Sequence, residues 1–74
     1  MNPAMIQIIS AREFEVLKLI AQGHKNRDVA LRLEITERTV RFHVENILEK
    51  LGVKNRTEAA CVALKQGWVV DDEI

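Results

Sequence analysis

Five side chains able to stack or to form hydrogen bonds recur at helical spacing in the middle of the chain. Positions i, i+3, i+4, i+7 and i+11 of a helix share one face, and here they hold Arg38, Arg41, Phe42, Glu45 and Glu49. An arginine on such a face can donate paired hydrogen bonds to the edge of a guanine, and a phenylalanine can contact a thymine methyl group. The spacing therefore indicates a surface whose chemistry suits the edges of base pairs.

The intervening residues give the same segment an apolar face. Thr36 precedes it as an N-cap whose hydroxyl can accept from a free amide of the first turn, and Gly52 follows as a helix end. The segment is predicted to be an amphipathic helix over residues 37–51. Its core-facing stripe consists of Val40, Val44, Ile47, Leu48 and Leu51.

A shorter helix is predicted directly upstream, over residues 27–33 with Asn26 as its N-cap. Its apolar face consists of Val29, Ala30 and Leu33. Leu31 points away from that face, as either a surface leucine or a partner contact. Only residues 34–36 separate this helix from the next, so the two must turn sharply rather than lie antiparallel. The pattern predicts a helix-turn-helix, in which the second helix enters the major groove of DNA.

Two further helices are predicted, over residues 11–22 and 56–66. The first begins at a capping box, in which the cap and the third helical residue bond to each other's amides, the second begins at a similar pair, and each ends at a glycine. These pairs are Ser10 with Glu13 and Asn55 with Glu58, and the glycines are Gly23 and Gly67. The fold class is therefore all-α: a single four-helix bundle-like domain over residues 1–74.

The fourth helix is expected to divide into an inner and an outer side. The inner residues are Ala59, Ala60, Ala63 and Leu64, and the outer ones are Cys61, Val62 and Lys65. Apolar residues at both ends of the domain are also expected to fold back onto it, namely Ile6, Ile8, Ile9, Trp68, Val69 and Val70.

The length and composition limit the classes of protein to which this chain can belong. The chain has 74 residues, 47% of them apolar, which suffices for one small core. No apolar run approaches the roughly 20 residues of a membrane-spanning helix, and the first nine residues lack the basic region of a signal peptide. Cys61 is the lone cysteine, so an internal disulfide is excluded and a cytoplasmic location is expected.

The net charge is zero but is unevenly distributed. Three of the eleven acidic residues are Asp71, Asp72 and Glu73, which leaves residues 1–70 with eight acidic and eleven basic residues, a net charge of +3. Residues 37–51 are neutral, with three glutamates against two arginines and one lysine. The charge therefore indicates only a modest preference for a polyanionic partner.

Catalysis and metal binding are not expected. His24, His43 and Cys61 lie 19 and 18 residues apart, which is not the spacing of a zinc site. Ser10, Cys61 and the histidines form no recognisable pair of nucleophile and base. We therefore expect no enzyme activity, cofactor or metal. His43 is expected to be a hydrogen-bonded residue at the edge of the core.

Four motifs follow one another along most of the chain: ARE-x-EVL-x-L-x-A-x-G, N-R-D-V-A-x-x-L, I-T-E-R-T-V-x-x-H-x-x-x-I-x-x-KLGV and R-T-E-A-x-x-x-A-L. From Ser10 to Gly67 the sequence resembles a LuxR/GerE-type DNA-binding domain, an output module of bacterial transcription regulators. The resemblance implies a helix-turn-helix domain with a tri-helical DNA-binding core, a fourth helix used for dimerisation and a homodimer on a pseudo-palindromic site. The candidate interface residues on the fourth helix are then the outer ones, Cys61, Val62 and Lys65. The resemblance also implies either a stand-alone regulator or a part of a longer one that carries a sensory or receiver domain.

The residues expected to contact DNA fall into two groups. Arg41 is expected to read a guanine, and Phe42 to contact a thymine methyl group or a sugar. Glu45 departs from the basic or neutral residue of many relatives and suits only a cytosine amino group or the orientation of Arg41. Phosphate contacts are expected from Lys25, Asn26, Arg38, Thr39, Lys50, Lys54 and Arg56, with a pair to Glu45 as the other role open to Arg38.

A second hypothesis comes from another class of protein. The neutral segment 37–51 would also suit a helix-turn-helix that binds a protein partner, with Leu31 and Phe42 as contacts. The number of matched motif positions favours DNA over this alternative. Binding to random duplex at two salt concentrations separates them, because DNA binding must weaken as salt rises.

Overall fold

The computed structural model describes residues 9–69, which form four α-helices and no β-strand. The helices are α1 (Ala11–Ala21), α2 (Asn26–Leu33), α3 (Glu37–Leu51) and α4 (Arg56–Lys65). The all-α prediction is confirmed, and each helix begins and ends within one residue of its predicted bounds. The expectations for Ile6, Ile8 and Val70 lie outside the described residues. In the described range no helix is long and apolar enough to cross a membrane.

Hydrogen bonds at the helix ends explain these bounds. Ser10 Oγ accepts from the amide of Glu13 at 3.0 Å, and Glu13 Oε1 accepts from the amide of Ser10 at 3.0 Å, so the predicted capping box of α1 is present. Asn55 caps α4 by accepting from the Glu58 amide at 2.9 Å, but the Glu58 carboxylate accepts from the amide of Lys54 rather than that of Asn55, so only half of the predicted pair is formed. At the end of α3, Gly52 has a φ of +68°, which lets the Val53 amide reach back to Leu48 O at 3.0 Å.

The start of α2 differs from its prediction. Asn26 is already the first residue of the helix, and Lys25 occupies the N-cap position without a side-chain hydrogen bond to the helix. The prediction of Asn26 as the cap is therefore wrong. Its side-chain oxygen is held by a residue of α4 instead, so it is turned away from the amides of its own helix.

The core forms where α1 packs against each of the other three helices. Leu17 and Ile47 are the largest fully buried side chains, each worth about 1.5–3 kcal/mol relative to exposure. Trp68 is half-buried against Phe14, with ring centroids 5.9 Å apart, so this end of the chain folds back as expected. The buried apolar residues are Val16, Leu17, Ile20, Val29, Ala30, Val40, Ile47, Leu51, Ala59, Ala63 and Val69.

Val62 and Leu64 of α4 lie on the opposite sides of the helix from those predicted. Ala59 and Ala63 are buried as expected, but Leu64 is 38% exposed and Val62 packs partly against the core. A helix advances by 100° per residue, so Leu64 lies roughly 120° from the centre of the buried pair and Val62 only about 80°. The prediction of Leu64 as an inner residue and Val62 as an outer residue is therefore wrong.

The turn between α2 and α3 requires an unusual backbone conformation. Glu34 has φ +58° and ψ +44°, the left-handed region, although it is not a glycine. This conformation lets the Ile35 amide donate to Ala30 O at 3.0 Å, and Thr36 then caps α3 by accepting from the Thr39 amide at 3.1 Å. This conformation costs about 1–2 kcal/mol of free energy for a residue with a side chain, because its Cβ comes too close to the backbone.

Replacing Glu34 with glycine should raise the free energy of unfolding by about 0.5–1 kcal/mol, because relief of this strain exceeds the added entropy of the unfolded chain. Urea denaturation measures the change. Glu45→Gly, on the exposed face of α3, is the matched control and should lose about 1 kcal/mol. A destabilised Glu34→Gly variant would contradict the assignment of strain to this turn.

Candidate nucleic-acid interface

The exposed face of α3 carries the five side chains identified by their spacing. Phe42 is 59% exposed, although burial of such a ring is usually favoured. The opposite stripe is inside, with Val40 and Ile47 fully buried. The predicted division of α3 into two faces is thus present in the structure. The other four exposed residues on this face are Arg38, Arg41, Glu45 and Glu49.

The arginines of this face are not paired with its carboxylates. In the described part of the chain, the ion pairs are Arg12–Glu15 and Glu13–Lys50, and His24 Nδ1 lies 4.0 Å from Asp28 Oδ2. Neither Arg38 nor Arg41 forms a hydrogen bond or an ion pair there, so the suggested pair between Arg38 and Glu45 is not formed. Both guanidinium groups therefore have donors available to a ligand.

Lys50, which the sequence predicts to contact a phosphate, binds a carboxylate of the same domain instead. Its Nζ donates to Glu13 Oε1 at 2.8 Å, and this bond ties the last turn of α3 to the first turn of α1. Glu13 is only 5% exposed, so its charge requires a partner. The Lys50 ammonium is therefore engaged inside the domain. One sequence signal for this was available, because Glu13 precedes Val16 and Leu17 by three and four residues and so shares their buried face.

The Glu13 carboxylate is stabilised in its charged form. Burial acts to raise its pKa, but the hydrogen bond and charge of Lys50, together with the amide and hydroxyl of Ser10, outweigh burial and hold the pKa below its ordinary value. A group with a lowered pKa stabilises the fold at pH values above its unfolded pKa, and this contribution is lost as the pH falls through the folded pKa.

A second group of expected contacts meets at the start of α2. Arg56 donates from Nη1 to Asn26 Oδ1 at 2.7 Å and from Nη2 to the backbone oxygen of His24 at 3.1 Å. An open cleft of about 440 Å³ lies beside these bonds, and Lys25 and Thr57 are among the residues that line it. The structure thus brings Lys25, Asn26 and Arg56 together, although two of the three bond to each other.

The remaining candidates are separate. Lys54 is exposed just before α4, and its amide donates to Glu58 Oε1 at 2.7 Å. The Thr39 hydroxyl lies 3.0 Å from that of Thr36, and either can donate. His43 is half-buried, and its Nδ1 is buried without a hydrogen-bond partner, so the expectation of a hydrogen-bonded histidine is wrong for that nitrogen. Within residues 9–69, no group of acidic, histidine or cysteine side chains could hold a metal ion.

The outer side of α4 differs from the predicted candidate interface by one residue. Cys61 and Lys65 are exposed as expected, whereas Val62 packs partly against the core. Leu64 is the outward apolar residue that the sequence interpretation placed inside. Cys61, Leu64 and Lys65 lie at i, i+3 and i+4, so they form one exposed patch on this helix.

Comparison with known sequences identifies relatives of this chain. Residues 7–63 match the family described as "Bacterial regulatory proteins, luxR family" (GerE). The chain is 52% identical over 66 residues to the nitrate/nitrite response regulator protein NarL of Escherichia coli K12, an alignment covering 89% of this chain and 28% of NarL. It is 45% identical over 64 residues to the transcriptional regulatory protein DegU of Brevibacillus brevis, covering 86% of this chain and 27% of DegU. The chain thus spans little more than a quarter of these relatives.

A solved structure has the same architecture. The transcription factor GerE superimposes with a TM-score of 0.77 at 35% sequence identity, covering 85% of this chain and 94% of GerE. The response regulator protein VraR of Staphylococcus aureus is a further relative in sequence, 40% identical over 65 residues that cover 88% of this chain and 31% of VraR. The matched family region, residues 7–63, includes the first three helices and most of α4.

Replacing Glu13 with glutamine should lower the free energy of unfolding by about 1–3 kcal/mol at pH 7, because the side chain keeps its size and its acceptor but loses the charge that pairs with Lys50. The difference from wild type should shrink as the pH falls through the lowered pKa of the folded Glu13 carboxylate, because the native side chain then also becomes protonated. Denaturation at several pH values measures both effects.

Glu15→Gln is the matched control, because Glu15 pairs with Arg12 on the exposed side of the same helix. It should change stability by less than about 0.5 kcal/mol at any pH. Equal losses for the two variants would contradict a special role for Glu13.

Proposed function

Because this chain belongs to the luxR family of bacterial regulatory proteins, we propose that it binds double-stranded DNA as a homodimer, recognises a specific site and regulates transcription in the cytoplasm. The family is one of transcription regulators rather than enzymes. The exposed face of α3, with two unpaired arginines next to a largely exposed phenylalanine, is the observation that carries the proposal. Apolar surface of this size beside free guanidinium groups suits the major groove, where both find partners.

Base recognition is assigned to the middle of this face. Arg41 donates to O6 and N7 of a guanine, and Phe42, the next residue, contacts a thymine methyl group or a sugar. Glu45 lies one turn beyond Arg41 with a free carboxylate, and the groove offers it the amino group of cytosine. Its other role is to orient Arg41. DNA phosphates repel the charge of Glu45, but in either role this charge would make binding depend on the base sequence.

Phosphate contacts are assigned to the residues around α3. Arg38 and Thr39 lie in its first turn, and Lys54 follows its end, so they flank the base-reading residues along the helix. Lys25 stands at the start of α2, where the first amides and the helix dipole favour an anion. Because α3 itself is neutral, these flanking charges supply the attraction to the backbone.

Dimerisation is assigned to α4. Its exposed patch of Cys61, Leu64 and Lys65 offers an apolar centre with a charged edge, the usual composition of an interface. Two copies related by a twofold axis would place two α3 helices on half-sites about 10 bp apart or a multiple of that. The gain in effective concentration compensates for the small contact area of one domain.

A regulatory partner is part of the proposal. Two of the relatives, NarL and VraR, are named response regulators and are much longer than this chain. In a longer form, a sensory or receiver domain would control access to the DNA-binding face.

One observation favours a second function, a protein-interaction module. Leu31 is 69% exposed and Phe42 is 59% exposed, and both could contact an apolar partner. A partner protein held by these residues would bind with little dependence on salt, whereas DNA binding weakens linearly on a log–log scale.

Arg41→Ala should abolish discrimination at one base position, worth about 1–3 kcal/mol, because the bidentate contact to guanine is lost. A preferred site is first selected from a random duplex pool. Dissociation constants are then measured for that site and for a variant substituted at each position, over a range of salt concentrations.

Arg38→Ala is the matched control, since it removes the same charge from the same helix face. It should weaken binding to every sequence alike and reduce the slope of log K against log salt by about one unit. If Arg41→Ala behaves in the same way, Arg41 is a phosphate contact. If wild-type binding does not respond to salt, the DNA-binding proposal fails.

Leu64→Glu should reduce self-association and weaken binding to a two-half-site duplex by at least about tenfold, because a carboxylate would be forced into an apolar interface. Sedimentation and titration on one-half-site and two-half-site duplexes measure this. Leu31→Glu is the control for self-association, because Leu31 is more exposed but lies on α2. An unchanged Leu64→Glu variant would exclude this side of α4 as the interface.

A further inference from the structure

The side chain of Arg56 connects two helices whose backbones do not pack directly against each other. Over residues 9–69, α1 packs against every other helix and α3 packs against α2 and α4, but α2 and α4 do not pack against each other. Arg56 is the first residue of α4, and its two hydrogen bonds end on Asn26, the first residue of α2, and on His24 in the preceding turn. The guanidinium is therefore a direct hydrogen-bonded link between the starts of α2 and α4.

The two bonds are well suited to fix an orientation. A guanidinium is planar and always charged, and its two terminal nitrogens diverge at a fixed angle. Here one of them holds a side-chain oxygen at 2.7 Å and the other holds a backbone oxygen at 3.1 Å, both in a partly buried setting. An ammonium in the same place could bond to one of the acceptors but could not reproduce the fork.

The segment held in this way is the part of α2 that would meet the DNA backbone. Lys25 is exposed immediately before Asn26, and no side chain caps the first amides of the helix. The first backbone bond of α2 is from the Val29 amide to Lys25 O. Among residues 9–69, the amides of residues 26–28 have no acceptor, so they are available to an external one. The direction in which these donors point depends on the turn at His24 and Asn26.

We propose that Arg56 is a positioning residue for DNA binding: it holds the start of α2 so that Lys25 and the first amides of that helix face a backbone phosphate, and it does not itself contact the phosphate. The inference rests on the proposed DNA-binding function. It gives Asn26 an indirect role as well, as the acceptor through which Arg56 acts. Because Arg56 begins the helix assigned to dimerisation, it also connects that helix to a phosphate contact.

The test compares Arg56→Lys, Asn26→Ala and the double variant in titrations with a random-sequence duplex over a range of salt concentrations. Positioning predicts that each single variant binds about five- to tenfold more weakly than wild type, even though one keeps the charge and the other changes no charge. It predicts further that the double variant is no weaker than either single variant, because both remove the same link.

Arg27→Lys is the matched control: it makes the same chemical change on the exposed surface of α2, and it should bind like wild type. Thermal unfolding of every variant fixes a titration temperature at which all are folded, and the Asn26→Ala variant provides the test if Arg56→Lys is unstable.

A direct phosphate contact by Arg56 would instead leave Arg56→Lys close to wild type and make the effects of the two substitutions additive, and either result overturns the proposal. Wild-type protein that does not bind duplex in a salt-dependent manner would overturn the proposed function itself, whereas wild-type binding with unaffected variants overturns only the role of Arg56.

Discussion

The burial of one narrow stripe of α3 is the constraint on which the rest of the structure depends. Val40 and Ile47 are both fully buried and lie seven residues apart, two turns along the same helix. Two anchors separated in this way fix both the position of α3 and its rotation about its own axis. Because the rotation is fixed, every side chain on the far face has a defined direction. The apolar core thereby determines where Arg41 and Phe42 point, although neither residue contributes to it.

Electrostatic interactions divide the charged residues into two sets. Lys50 and Arg56 are held by acceptors inside the domain, and both link segments that are far apart in sequence. Arg38, Arg41 and Lys54 are exposed. The first set shapes the surface, and the second set can contact a ligand. A count of basic residues in the sequence does not separate these sets, and it therefore overstates the charge available to DNA.

Local patterns were sufficient to predict the helices and the orientation of α3. Caps, glycines and periodicity are signals within a few residues, and Ser10, Thr36 and Gly52 act as the sequence suggests. The contacts that could not be predicted join residues 30 to 37 positions apart, such as Glu13 with Lys50 and Arg56 with Asn26. In the short α4, five consecutive apolar residues precede Leu64, so periodicity could not decide between Val62 and Leu64. The left-handed conformation of Glu34 had no sequence signal, because glutamate rarely adopts it.

The separation between the two faces of α3 has a consequence for how such a domain can diversify. The side chains that face outward take no part in the core, and the turn before them is closed by backbone bonds and the Thr36 cap. Substitutions on that surface can alter which target is chosen while the scaffold keeps its stability. Changes in the length of the turn would instead displace the whole helix. New preferences are therefore accessible through exchange of single residues, without insertions or deletions.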